Sequence, residues 1–124
     1  MPEYLCGGDG MRVIFARHGA AQPAQDGDAD RRLDDRGRRE SVVLAEALLV
    51  MQLPVEHVIS SPLARAMETA AIVAELCGHV EVHDEEFLVP PIDTTALLQR
   101  LGEMMRSGVR GVVLVGHSPS LGQC

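Results

Sequence analysis

The sequence predicts an α/β fold in which a mainly parallel sheet lies between two layers of helices. Short apolar runs rich in Val and Ile alternate along the chain with longer stretches of helical period, the pattern of strand–helix–strand units. Pro and Gly punctuate the boundaries between the two kinds of stretch. A length of 124 residues with 46% apolar and 23% charged residues suits one soluble domain. Its core must be aliphatic, because Tyr4, Phe15 and Phe87 are the only aromatic residues.

Each element has a local reason. Residues 1–10 hold three glycines and no periodicity, and are expected to form a loose tail ahead of a domain over 11–124. Arg12 to Ala16 is a short apolar run closed by Gly19, as in a buried strand. Residues 20–32 read as a loop, with Pro23 and Gly27. Asp34 is placed to cap a helix running to about Gln52, with Val43, Ala47, Leu48 and Met51 on one face. Gly37 in its first turn leaves room for a close neighbour. Val55 to Ile59 reads as a second strand. Ser61 then suits an N-cap, with Pro62 at the first helical position, and the helix should stop at Gly78. Val80 to Val82 is a weaker third strand. Asp93 or Thr94 caps a further helix with Leu97, Leu101, Met104 and Met105 on one face, closed by Gly108. Val112 to Val115 is the most apolar strand. Ser118, before Pro119, again suits an N-cap.

Charge and composition exclude several functions. The net charge is −7, and all 11 basic residues are Arg. Such a chain repels nucleic acid and anionic lipid, and it lacks the aromatics that stack on single strands. No apolar run reaches the length of a membrane span, so neither nucleic acid nor membrane is an expected partner. Residues 1–10 lack the basic and apolar regions of a secretory signal. The three cysteines, Cys6, Cys77 and Cys124, have no disulfide or zinc-knuckle spacing. A cytoplasmic location is expected.

The chemistry gathers at the strand ends. In parallel sheets ligands sit beyond the carboxyl ends of the strands. Arg17-His18-Gly19 follows the first strand, Ser60-Ser61-Pro62 with Arg65 follows the second, and Gly116-His117-Ser118 follows the last. Two Arg and two His thus converge in an acidic chain. Forked guanidinium donors and helix N-termini at Ser61-Pro62 and Ser118-Pro119 suit a phosphate dianion. A neutral His in such a pocket is a nucleophile toward phosphorus, and a charged one stabilises phosphoryl oxygens.

These residues resemble a known family. Met11 to Gly19, with Arg17-His18-Gly19, resembles the opening strand and motif of the histidine phosphatase superfamily, which has the phosphoglycerate-mutase-like fold. Ser60-Ser61-Pro62-Leu63-Ala64-Arg65-Ala66 with Thr69-Ala70 is similar to its second motif. Gly116-His117-Ser118-Pro119 is similar to its last, and Arg31-Arg32-Leu33-Asp34 with Gly37 to its linking stretch. The short connections resemble the small branch that includes bacterial phosphohistidine phosphatases. Arg32 stands where the family usually has Pro, and Glu68 where it often has Gln.

The resemblance implies a metal-independent phosphatase working through a phosphohistidine intermediate on His18. Arg17, Arg65 and His117 would hold the phosphoryl oxygens, with Gly19 and Ser118 lining the pocket. It also implies that the strands bearing His18 and His117 are neighbours, and that no cofactor or metal takes part. His57, His79 and His83 read as surface residues. Larger relatives carry a Glu after the third strand as general acid; here Glu86 is the best candidate and Glu85 the next. A weak acid suits a labile P–N bond, which favours a protein phosphohistidine substrate. The alternatives are a small phosphomonoesterase or mutase-like member acting on sugar or other small phosphates, and a non-catalytic phosphate-binding module. Relatives continue past the second His through further strands that cover the first strand. The chain is therefore expected to lack those strands, and to leave a sheet edge open to self-association.

Overall fold

The computed structural model describes residues 3–5, 10–19 and 32–117, the first of these stretches by its backbone alone. Five strands form one sheet: β1 (Glu3–Leu5), β2 (Arg12–Arg17), β3 (His57–Ser60), β4 (Glu81–Asp84) and β5 (Gly111–Gly116). Their order is β1-β2-β5-β3-β4. The pairs β2–β5, β5–β3 and β3–β4 are parallel, and β1 runs antiparallel to β2. Among the described residues three helices connect the strands: α1 (Asp35–Val50), α2 (Ala64–Leu76) and α3 (Thr94–Arg106).

Strand alternation splits the core into two layers. Ile14, Ala16, Val58, Val113 and Val115 pack with Leu44, Ala45 and Leu48 of α1 and with Ala66, Ala70 and Val73 of α2. The intervening residues Val13, Phe15, Ile59, Val112 and Leu114 pack with Leu97 and Met104 of α3. This is the three-layer α/β/α arrangement that the alternating pattern predicts.

Most boundaries follow their local signals. The Asp34 carboxylate accepts from Gly37 N at 2.7 Å and starts α1. The Asp93 carboxylate accepts from Ala96 N at 3.1 Å and starts α3. Gly78 and Gly108, with φ of 108° and 85°, follow the ends of α2 and α3, where only glycine turns the chain at little cost.

Several expectations need correction. Residues 3–5 are not a loose tail: β1 aligns Glu3, Tyr4 and Leu5 with Phe15, Ile14 and Val13. The edge of β2 expected to be open is therefore paired along that stretch, its backbone groups finding partners within the chain. The buried face of α1 is Gly37, Ser41, Leu44, Ala45 and Leu48, while Val43 and Met51 are 58% and 51% exposed. Apolar residues stand on both sides of this helix, so periodicity alone cannot choose the inner one. On α3, Met105 likewise faces out. α2 begins later than Ser61-Pro62: Leu63, extended at φ −66° and ψ 144°, is the residue before it, and Ser61 Oγ accepts from Leu63 N at 3.4 Å outside the helix. Finally, His57 and His83 are partly buried side by side, and only His79 is exposed.

No helix among the described residues is long and apolar enough to cross a membrane. Cys77 is half-buried, and burial raises its thiol pKa; Cys6, Cys124, Ser118 and residues 20–31, where a loop is expected, lie outside the described residues.

Candidate active site

The parallel ladder of β2 and β5 ends with Arg17 aligned to Gly116. His18 and His117 follow directly, so both rings emerge at one end of the sheet. The His18 amide extends the ladder by donating to Gly116 O at 3.1 Å. The rings lie edge to face, with centroids 5.1 Å apart and planes at 62°.

Two hydrogen bonds define the state of His18. Its Nδ1 lies 2.7 Å from Gly19 O. A carbonyl oxygen only accepts, so Nδ1 carries the proton. On the other side, Arg65 Nε donates to His18 Nε2 at 3.2 Å. A guanidinium only donates, so Nε2 carries the lone pair. The two contacts agree on one tautomer, with the lone pair on Nε2. Arg65 stands in the first turn of α2 and is only 6% exposed, so its charge is held at the site.

His117 is held from β3. Its Nε2 lies 2.8 Å from Ser61 Oγ, and Ser61 N donates to Val115 O at 2.9 Å. The Ser61 hydroxyl thus meets His117 and also accepts from Leu63 N at 3.4 Å, ahead of α2. This role is invisible in the sequence, because a Ser before a Pro gives the same signal for either use.

Gly19 is pinned between two helices. A Cβ placed there would lie 2.5 Å from Gly37 O and 2.8 Å from Gly37 Cα. Its amide donates to Thr69 Oγ1 at 3.1 Å, and Thr69 Oγ1 donates to Arg65 O at 3.0 Å. Ser41 Oγ donates to Gly37 O at 2.8 Å. These bonds tie the segment after His18 to both α1 and α2. Thr69, one helical turn from Arg65, and Ser41 add two site residues beyond those the strand ends predict. Glu68 accepts from Leu33 N at 2.8 Å, a bond that a Gln carbonyl would make equally well.

The remaining candidates divide. Arg17 is exposed at the end of β2, beside His18. Ser118 lies outside the described residues. Glu86 is exposed on the 3-10 turn Glu86–Leu88 and makes no described contact with His18 or His117. The Glu85 carboxylate faces Arg100 Nε of α3 at 3.8 Å.

The pattern of strand ends is one that other proteins share. The family model of the histidine phosphatase superfamily (branch 1) matches residues 13–89, more than half of the chain. The chain belongs to that family. The matched segment carries His18 and Arg65, and His117 lies beyond it. Phosphohistidine phosphatase SixA of Escherichia coli (strain K12) is 31% identical over 115 residues, covering 90% of this chain and 70% of that protein. Phosphoglycerate mutase-like protein 4 of Arabidopsis thaliana is 40% identical over 78 residues, which cover 60% of this chain and 34% of the plant protein. The solved structure of the protein histidine phosphatase SixA complexed with tungstate superimposes with a TM-score of 0.81 at 29% identity, covering 88% of this chain and 70% of that one. This histidine phosphatase is accordingly a hydrolase that removes phosphoryl groups.

Proposed function

We propose that this histidine phosphatase acts on phosphohistidine in proteins, with His18 as the nucleophile. The observation that carries the reading is the pair of hydrogen bonds fixing the lone pair on His18 Nε2. Nε2 attacks phosphorus as the bond to the leaving nitrogen breaks, and that nitrogen takes a proton from solvent. Water then attacks the phosphoryl group on His18, releasing phosphate and restoring the imidazole. Arg17, Arg65 and His117 neutralise the phosphoryl oxygens, with Ser118 and the Gly19 segment lining the pocket. Phosphoryl transfer needs little beyond such positioning and charge.

Two observations favour a phosphoramidate over an alkyl ester. Glu86 is exposed, and among the described residues neither it nor Glu85 makes a described contact with the two imidazoles. A P–N bond is labile and demands less of a general acid. The second is the likeness to SixA, which is a phosphohistidine phosphatase in Escherichia coli.

Brief reaction with a small phosphodonor should label the protein in an acid-labile, alkali-stable form. His18→Ala should abolish the label and lower turnover by roughly three orders of magnitude or more. Persistent turnover in that variant rejects the mechanism. Turnover on a phosphohistidine peptide should exceed that on alkyl phosphates; the reverse order makes the enzyme a small phosphomonoesterase. Phosphate binding with no turnover on either makes it a binding module.

A further inference from the structure

A second pair of imidazoles lies away from His18 and His117. His57 begins β3, and Glu81 and His83 stand on β4. The parallel register sets His57 against Glu81 and Ile59 against His83. Strand alternation then brings His57, Glu81 and His83 onto one face of the sheet. His83 Nε2 lies 3.4 Å from His57 Nδ1 and 3.7 Å from Glu81 Oε2. One ligand atom from each of the three residues lies within 4.8 Å of the other two. The rings are tilted at 51° with centroids 5.4 Å apart, so their nitrogens meet without the rings stacking.

These distances have a chemical meaning. A tetrahedral zinc ion with bonds of about 2.0–2.1 Å holds its ligand atoms roughly 3.3–3.4 Å apart. The two measured separations are already close to that edge. Two imidazoles and one carboxylate are also a donor set suited to borderline first-row cations. Both imidazoles are half-buried, so rotamer choice is already limited, while Glu81 is exposed and free to swing inward.

We propose that His57, Glu81 and His83 form a binding site for a divalent first-row transition cation such as zinc, with water completing the coordination. Binding requires lone pairs on both His57 Nδ1 and His83 Nε2. The ring that donates in the cation-free pair therefore carries its proton on its other nitrogen once the ion is bound. The ion would clamp β4, an edge strand of the sheet, onto β3.

The test is calorimetric titration of the full chain with zinc chloride, alongside thermal melts. Wild type should bind zinc with a rise in Tm on the order of ten degrees at a hundredfold excess over Kd. His57→Ala with His83→Ala should weaken this site at least a hundredfold while phosphoryl labelling of His18 persists. His18→Ala with His117→Ala should keep the site, which separates it from the other imidazole pair. Cobalt in place of zinc should give a visible tetrahedral spectrum that the first double variant lacks. If that variant fails to fold, Glu81→Gln decides, since this exposed substitution should still weaken binding about tenfold. Equal zinc affinity in wild type and the variants overturns the proposal. So does the absence of zinc binding by wild type, which leaves the 3.4 Å contact as a hydrogen bond between imidazoles.

Discussion

At the scale of single residues, the candidate site depends on groups with only one way to bond. Gly19 O accepts and Arg65 Nε donates, and between them they dictate the tautomer of His18. Gly19 itself has no room for a side chain, since the atoms a Cβ would strike are backbone atoms of Gly37. Gly19→Ala should therefore cost about 1–3 kcal/mol and disturb His18 as the segment is pushed from α1. Urea denaturation reads the first effect and phosphoryl labelling the second; a variant as stable and active as wild type would show that α1 yields easily. Cys77 is not part of this chemistry. Burial raises its pKa, so at neutral pH its thiol is even more fully protonated than an ordinary cysteine.

The elements were legible in the sequence wherever a side chain announces its own hydrogen bond. Asp34 and Asp93 each begin a helix where their position predicts it. Asp34→Ala should lower stability by about 1 kcal/mol, and a small loss of Asp34-dependent order in α1 should also loosen Gly37 against Gly19. Thermal melts check this, and an unchanged Tm would mean that the tertiary contacts of α1 set its start. Legibility failed where two uses share one signal. Ser61 carries the residues of an N-cap, yet its hydroxyl meets His117. Val43 and Leu44 are equally apolar, yet only Leu44 faces the sheet, because the site of α2 selects the inner stripe. His57 and His83 read as surface residues for a related reason. They are 26 residues apart, and only the register of β3 on β4 makes them neighbours.

At the scale of the whole molecule, the alternation of strands and helices conveyed the layered fold, and the three strand ends pointed to the place where His18, Arg65, Ser61 and His117 come together. What the pattern did not convey was the strand order at the margin. Three glycines disguise residues 1–10, although Glu3–Leu5 pair with β2. Removal of residues 1–9 should expose the edge of β2 along Val13, Ile14 and Phe15, lowering Tm and promoting association. Light scattering and melting curves measure both, and a monomer with unaltered Tm would show that β1 adds nothing to stability. The pairing of β2 with β5 has a wider consequence. Arg17 and Gly116 are the last aligned residues, and His18 and His117 are the next step on each strand. The two imidazoles are thus indexed against one another by counting along two backbones, as teeth on meshed racks. Sequence drift inside these strands can exchange one apolar side chain for another without moving either ring. A change in the number of residues shifts the whole rack, and separates the two histidines while leaving both of them in the chain.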